Sequence, residues 1–282
     1  MEIWNWQTWQ GAPYLTCSLL NSFPHGFFTQ QFSPRSPLEL TEVIQAEAEA
    51  YRVRQVHGNV VLTPTEIGMP LQRIQQANLG EADQDPLDRL PPGDGVISDG
   101  AAQAVWVCTA DCVPVLIADQ VTGQVAAIHA GWRGTAAKIV PEAIARLQQQ
   151  GSQLSDLLVA MGPAIAGTVY QVSTTVAAQV GVTVLKEAEW DEKIDQPESI
   201  LDRLCQLPDS PVLSDPEPGR VRLDVRRVNA LQLQQLGLHA DQIAIAPYCT
   251  YQHTEHFFSY RRERLKQVQW SGIASVGVST VR

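Results

Sequence analysis

Cysteine is scarce in this chain of 282 residues, and the five present, at positions 17, 108, 112, 205 and 249, are scattered and odd in number. That excludes a disulfide framework and points to a reducing compartment, the cytoplasm. Positive charge is also short, with 20 Lys and Arg against 30 Asp and Glu and a net charge of -10. The deficit argues against capture of nucleic acid or of an anionic membrane surface, so an anionic ligand must meet a local positive site. No apolar run is long enough to span a membrane. The longest uncharged stretch, between Asp156 and Lys186, is interrupted by Gly162, Pro163, Gly167 and Gln171. Met1 to Gln10 lacks the basic and apolar regions of a secretory signal.

What is present describes an ordinary globular chain, 44% hydrophobic and 18% charged. Apolar or alternating runs predict strands over Tyr51 to Leu62, Gln103 to Cys108, Val113 to Ala118, Gln124 to His129, Asp156 to Met161, Ile243 to Ala246 and Trp270 to Val278. Helical periodicity covers Thr135 to Gln150, where Pro141 predicts a kink or a late start. It also covers Asp224 to Leu236, with Asp224 as N-cap and Gly237 as stop. Strands outnumber helices but alternate with them, which predicts an α/β or α+β domain of helices layered around mixed sheets. The domain spans 1–282, with a polar excursion over about 187–220.

Three segments end an apolar run on a residue that can bind a metal: Gln55 to Gly58 with His57, Thr109 to Cys112, and Ile128 to Gly134 with His129. Two imidazoles and a thiolate make a set that leaves one corner of a tetrahedral zinc site open. Taken singly, the histidines also read as satisfied polar residues and Cys112 as a small core residue. The Ala-Gly-Trp-Arg-Gly turn after His129 sets Arg133 and free backbone amides beside that ligand, a candidate anion pocket. Equally, its glycines read as a tight turn and Arg133 as the partner of a surface acid. Asp111, next to Cys112, is a candidate acid, base or orienting group. Trp132 and Tyr170 could offer stacking faces. Asp94 and Asp99, each beside glycine, read as turn residues. Cys108 reads as core filler. His253 and His256, three apart, form a competing metal pair without a third ligand.

Together these segments resemble the family once named multicopper polyphenol oxidoreductases, or laccase-like proteins, and now described as purine nucleoside phosphorylases with adenosine deaminase activity. The resemblance rests on QVHG at 55–58, DGVISD at 94–99, TADCVPVLIAD at 109–119, HAGWRGTAAK at 129–138, MGPAI at 161–165, LDVRRVN at 223–229 and FFSYRRE at 257–263. It implies a metal triad at His57, Cys112 and His129 holding zinc, with copper as the alternative, and a single layered domain similar to cysteine-hydrolase toxins. It also implies phosphorolysis of adenosine, inosine, guanosine or methylthioadenosine, with small-molecule nucleoside and phosphate as partners, plus deamination of adenosine. Other readings are copper-dependent phenol oxidation, a Cys112–His129 amidase editing peptidoglycan precursors, and a metal- or partner-binding module without turnover. The chain departs from the family pattern at Gln30, where an arginine is usual, and at Val268-Gln269, where a Gly-Arg pair is usual.

Overall fold

The computed structural model describes residues 3–77, 89–185 and 196–277. In chain order the strands are β1 Trp4–Trp9, β2 Ala12–Cys17, β3 His25–Phe28, β4 Glu49–Tyr51, β5 Val61–Leu62, β6 Gly95–Ile97, β7 Gln103–Thr109 and β8 Val113–Asp119. They continue with β9 Val125–Ala130, β10 Leu157–Met161, β11 Gln171–Ser173, β12 Val212–Ser214, β13 Arg220–Leu223, β14 Ile243–Ile245 and β15 Gln269–Ala274. One six-stranded sheet has the order β1-β2-β3-β15-β7-β4, a second has β14-β10-β8-β9-β6-β5, and a small sheet has β11-β13-β12. Both large sheets are mixed: β4 runs parallel to β7, and β10 parallel to β14, within otherwise mainly antiparallel ladders.

Period-two alternation decides which layer each side chain enters. In β7, Ala104 and Trp106 face the helix Pro37–Gln45, while Val105 and Val107 face the second sheet. In β8, Leu116 and Ala118 return that contact, while Val113, Val115 and Ile117 face a layer of helices that includes Ile139–Gln149, Thr174–Gly181, Pro197–Cys205 and Val225–Leu236. The result is an α+β fold in four layers, helix, sheet, sheet, helices. Because β8 and β9 have apolar contacts on both faces, every residue in them is buried, which explains their unbroken apolar sequences.

The expected helix over Thr135 to Gln150 is two helices, Trp132–Ala136 and Ile139–Gln149, separated at Lys138 with φ 56°. Pro141 falls in the first turn of the second helix, where an amide has no intrahelical partner to lose. The helix Val225–Leu236 is capped as read: the Asp224 side chain accepts the Arg227 amide, and Gly237 takes φ 104°. The expected strand over Tyr51 to Leu62 is not one strand. Only its ends enter strands, β4 in the first sheet and β5 in the second, and 52–60 is a loop with one isolated bridge, Arg54 to Pro92, and with amides drawn to a side chain, as shown below. The last strand ends at Ala274, and Val278 lies outside the described residues. So does 187–195 of the polar excursion, whose remainder holds the helix Pro197–Cys205 and β12. No helix among the described residues is long and apolar enough to cross a membrane.

Candidate active site

The link Ala110–Cys112 carries the chain from β7 in the first sheet to β8 in the second, so Cys112 stands where the sheets meet. The β8–β9 register pairs Val113 with Ala130 and Pro114 with His129. Continued by one step, it sets Cys112 opposite Gly131, on the same face as His129. A Cβ on Gly131 would lie 2.9 Å from Cys112 Sγ, 3.6 Å from His57 Cδ2 and 3.7 Å from His129 Nε2, so only glycine fits beside all three side chains.

His57 comes from the 52–60 loop and is held by Asp94, a fully buried residue just before β6. Asp94 Oδ1 accepts the His57 amide at 2.9 Å, and Oδ2 accepts the Gly58 and Val56 amides at 2.6 and 3.2 Å. The same Oδ1 lies 2.8 Å from His129 Nδ1. A carboxylate can only accept there, so Nδ1 carries the proton and Nε2 is left facing Cys112. One carboxylate thus fixes the backbone of one imidazole and the tautomer of the other. The turn reading of Asp94 missed this role. Its only sequence signal is an acid immediately before a short apolar strand.

The donor atoms of His57, Cys112 and His129 all lie within 4.8 Å of one another, and they form the one such cluster among the described residues. Two imidazole nitrogens and a sulfur fit a borderline-soft divalent ion. Burial pushes the Cys112 thiol up, but His129 and then His57 outweigh it and bring the pKa down to about 6. His129 shows the converse: burial lowers it, while Cys112 and Asp94 raise it to about 9.

Beside the triad lies a pocket of about 240 Å³ lined by Asp111, Cys112, Gly131, Trp132, Tyr170 and apolar neighbours. Trp132 and Tyr170 are therefore brought to the site. The Arg133 guanidinium lies 4.2 Å over the Trp132 ring, and no acid among the described residues pairs with it. The helix that carries Arg133 has only five residues, so the anion argument rests on this guanidinium more than on a helix dipole. Burial and then Cys112 push the Tyr170 phenol up to about 12, against the pull of Arg261 and Arg133. Asp111 has its carboxylate turned elsewhere, accepting from Thr250 Oγ1 and the Arg261 amide, each at 2.7 Å. Cys108 bonds Gln55 through its sulfur. His253 Nδ1 lies 3.1 Å from the Cys249 backbone and the His256 ring lies tilted against Trp6, so those two histidines form no metal pair.

Fold and site define a two-sheet sandwich that presents a His/Cys/His donor set beside an aromatic-walled pocket. The family model described as multi-copper polyphenol oxidoreductase laccase matches residues 38–273, and the chain belongs to that family. It is 50% identical over 275 residues, 97% of this chain and 98% of the relative, to purine nucleoside phosphorylase slr1573 of Synechocystis sp.. It is 31% identical over 158 residues, 56% of this chain and 52% of the relative, to adenosine deaminase RL5 of an unknown prokaryotic organism. Among solved structures, YlmD from Geobacillus stearothermophilus superposes with a TM-score of 0.73 at 24% identity, covering 96% of this chain and 98% of that one.

Proposed function

We propose that this chain is a zinc-dependent purine nucleoside phosphorylase, acting on adenosine, inosine, guanosine or methylthioadenosine, that also deaminates adenosine. The observation that carries the reading is the convergence of His57, Cys112 and His129 beside a pocket walled by Trp132 and Tyr170. The names of the relatives supply the nucleoside class. The whole chain would act as one catalytic domain, and its free cysteines favour a reducing compartment, the cytoplasm.

His57, Cys112 and His129 would hold zinc, with copper as second choice. Zinc there would supply Lewis acidity, which makes water a stronger acid and so a source of hydroxide near neutral pH. Asp94 keeps the His129 ring in one tautomer and orientation. Trp132 and Tyr170 offer flat faces to a purine. Arg133 would hold phosphate for attack on ribose C1′, where positive charge develops as the purine leaves with the electron pair of the glycosidic bond.

The test incubates the purified protein with adenosine, with and without phosphate, and separates adenine, inosine and hypoxanthine by chromatography. Adenine released only with phosphate, and inosine formed without it, are expected. Intact adenosine under both conditions overturns the reading.

A second reading has an observation of its own. Cys112, His129 and Asp94 stand in the order nucleophile, base and orienting acid, and the thiol is already pulled down to about 6. A thiol amidase would keep its activity after chelation and lose it on alkylation of Cys112. The copper-oxidase reading fits poorly, since several copper centres need many imidazoles and this chain has six histidines. One of them, His25, has both ring nitrogens bonded to backbone.

A further inference from the structure

Among the described residues, Arg146, Arg220, Arg222, Arg226, Arg227 and Arg262 each pair with a carboxylate. Arg261 does not. Its guanidinium lies 4.7 Å over the Tyr170 ring, and its one hydrogen bond among the described residues, at 2.8 Å, goes to the Gln171 carbonyl. A backbone carbonyl fixes a guanidinium without neutralising it. Most of its donor fork is left to another acceptor.

Arg133 repeats the arrangement on the pocket's other aromatic residue, Trp132, and both guanidiniums lie near enough to pull on the Tyr170 phenol. Arg133 likewise lacks an acidic partner among the described residues. Trp132 and Tyr170 both line the pocket beside Cys112, so two unneutralised guanidiniums back its two aromatic walls. In a chain of net charge -10 this is a local concentration of positive charge.

The placement of Arg261 is built. The buried Asp111, at φ 92°, accepts the Arg261 amide through Oδ2 and the Thr250 hydroxyl through Oδ1. Arg262 in turn bonds the carbonyls of Thr250, Tyr251 and Phe257. A carboxylate one residue from Cys112 therefore anchors the 250–262 segment against the site.

We infer that Arg261 is the second arm of a phosphate-binding clamp shared with Arg133, and that Asp111 acts as a positioning residue for it rather than as a catalytic acid. This rests on the nucleoside phosphorylase reading and deepens it by naming how the anionic co-substrate is held. Two guanidiniums from segments some 130 positions apart suit the tetrahedral phosphate oxygens better than either alone.

The experiment compares the full-length wild-type protein with Arg261→Met, which keeps the apolar stem on Tyr170, and with Asp111→Asn. Binding of inorganic phosphate is measured by calorimetry, and the yields of adenine and inosine from adenosine are measured across phosphate concentrations. Loss of one charge-assisted contact predicts a phosphate affinity and KM about tenfold weaker in Arg261→Met, with the adenine-to-inosine ratio falling by as much. Asp111→Asn shifts the same ratio in the same direction by less. An unchanged phosphate affinity in Arg261→Met, or a parallel fall of both products at constant ratio, overturns the inference. A wild-type protein that binds phosphate but turns over no nucleoside overturns the phosphorylase reading alone, and the calorimetric comparison still decides the clamp.

Discussion

His129 sits in a paired hairpin, β8 with β9, whose every strand residue is buried, and Cys112 stands immediately before its first strand, whereas His57 sits on an exposed loop with one isolated bridge, Arg54 to Pro92. The hairpin fixes its donors through ladder register and packing on both faces. The loop fixes its donor through one side chain, Asp94, which takes three consecutive amides. Precision at the triad thus comes from sheet pairing on one side and from a single buried carboxylate on the other. The two halves should fail differently.

The largest effect is expected on the hairpin side. Cys112→Ala removes the thiolate that draws both imidazoles together, so metal content and both nucleoside activities should fall by at least about 100-fold. Metal analysis of the purified variant together with product chromatography checks this. Turnover near the wild-type level would show that the sulfur holds no catalytic ion.

Next is the loop side. Asp94→Asn keeps the size of the side chain but replaces one acceptor oxygen by a donor, which faces amides it cannot bond. Metal affinity should fall about 10–100-fold, and stability by about 1–3 kcal/mol for the buried amides left unmatched. Because those amides belong to 56–58, the loop should open first, so limited trypsin digestion should cut after the exposed Arg54 well before elsewhere. A proteolysis pattern identical to wild type would mean that the loop is held by something else.

Gly131→Ala tests where the two halves touch. Its Cβ would meet Cys112 Sγ at 2.9 Å, too close without displacing the sulfur. Metal affinity should drop about tenfold for roughly 1–2 kcal/mol of local strain, while the thermal midpoint of chelated protein moves little. A large fall in that midpoint would place the strain in the fold rather than at the donors.

The same contrast governs how much could be read from the sequence. The hairpin was legible because strands packed on both faces leave continuous apolar runs, and the donors stand at the ends of those runs. The loop was misread as a strand because Tyr51, Val53, Val60 and Val61 imitate a strand, and nothing local shows that Asp94, more than thirty positions on, captures the amides between them. Gly-Asp-Gly at 93–95 carries the composition of a turn whether or not its carboxylate is buried. Arg261 carries no local signal for a similar reason: its surroundings depend on Tyr170 and Asp111, distant along the chain. His57 was found by its chemistry alone, since the chemistry of a donor set survives where local pattern fails.

A buried histidine in the first sheet offers the mildest test and isolates what Asp94 does for His129. His25 donates from Nδ1 to the Phe23 carbonyl and accepts the Cys17 amide at Nε2, both at 2.8 Å, with no carboxylate beside it. Burial holds its pKa below the ordinary 6.5, whereas His129, backed by Asp94 and Cys112, is raised to about 9. Protonating His25 would set an N–H against the Cys17 N–H. As pH falls below 6.5 the unfolded chain therefore takes up a proton that the folded one refuses, and stability is lost at up to about 1.4 kcal/mol per pH unit. His25→Gln should cost about 1–3 kcal/mol at pH 7.5 through weakened backbone contacts, and that cost should shrink toward pH 5 because the variant has no such proton to refuse. Urea unfolding of both chelated proteins at pH 7.5, 6.5 and 5.5 reads this out. A difference constant across that range would show that His25 titrates alike in the folded and unfolded chains, and that backbone contacts alone do not keep a buried imidazole neutral here.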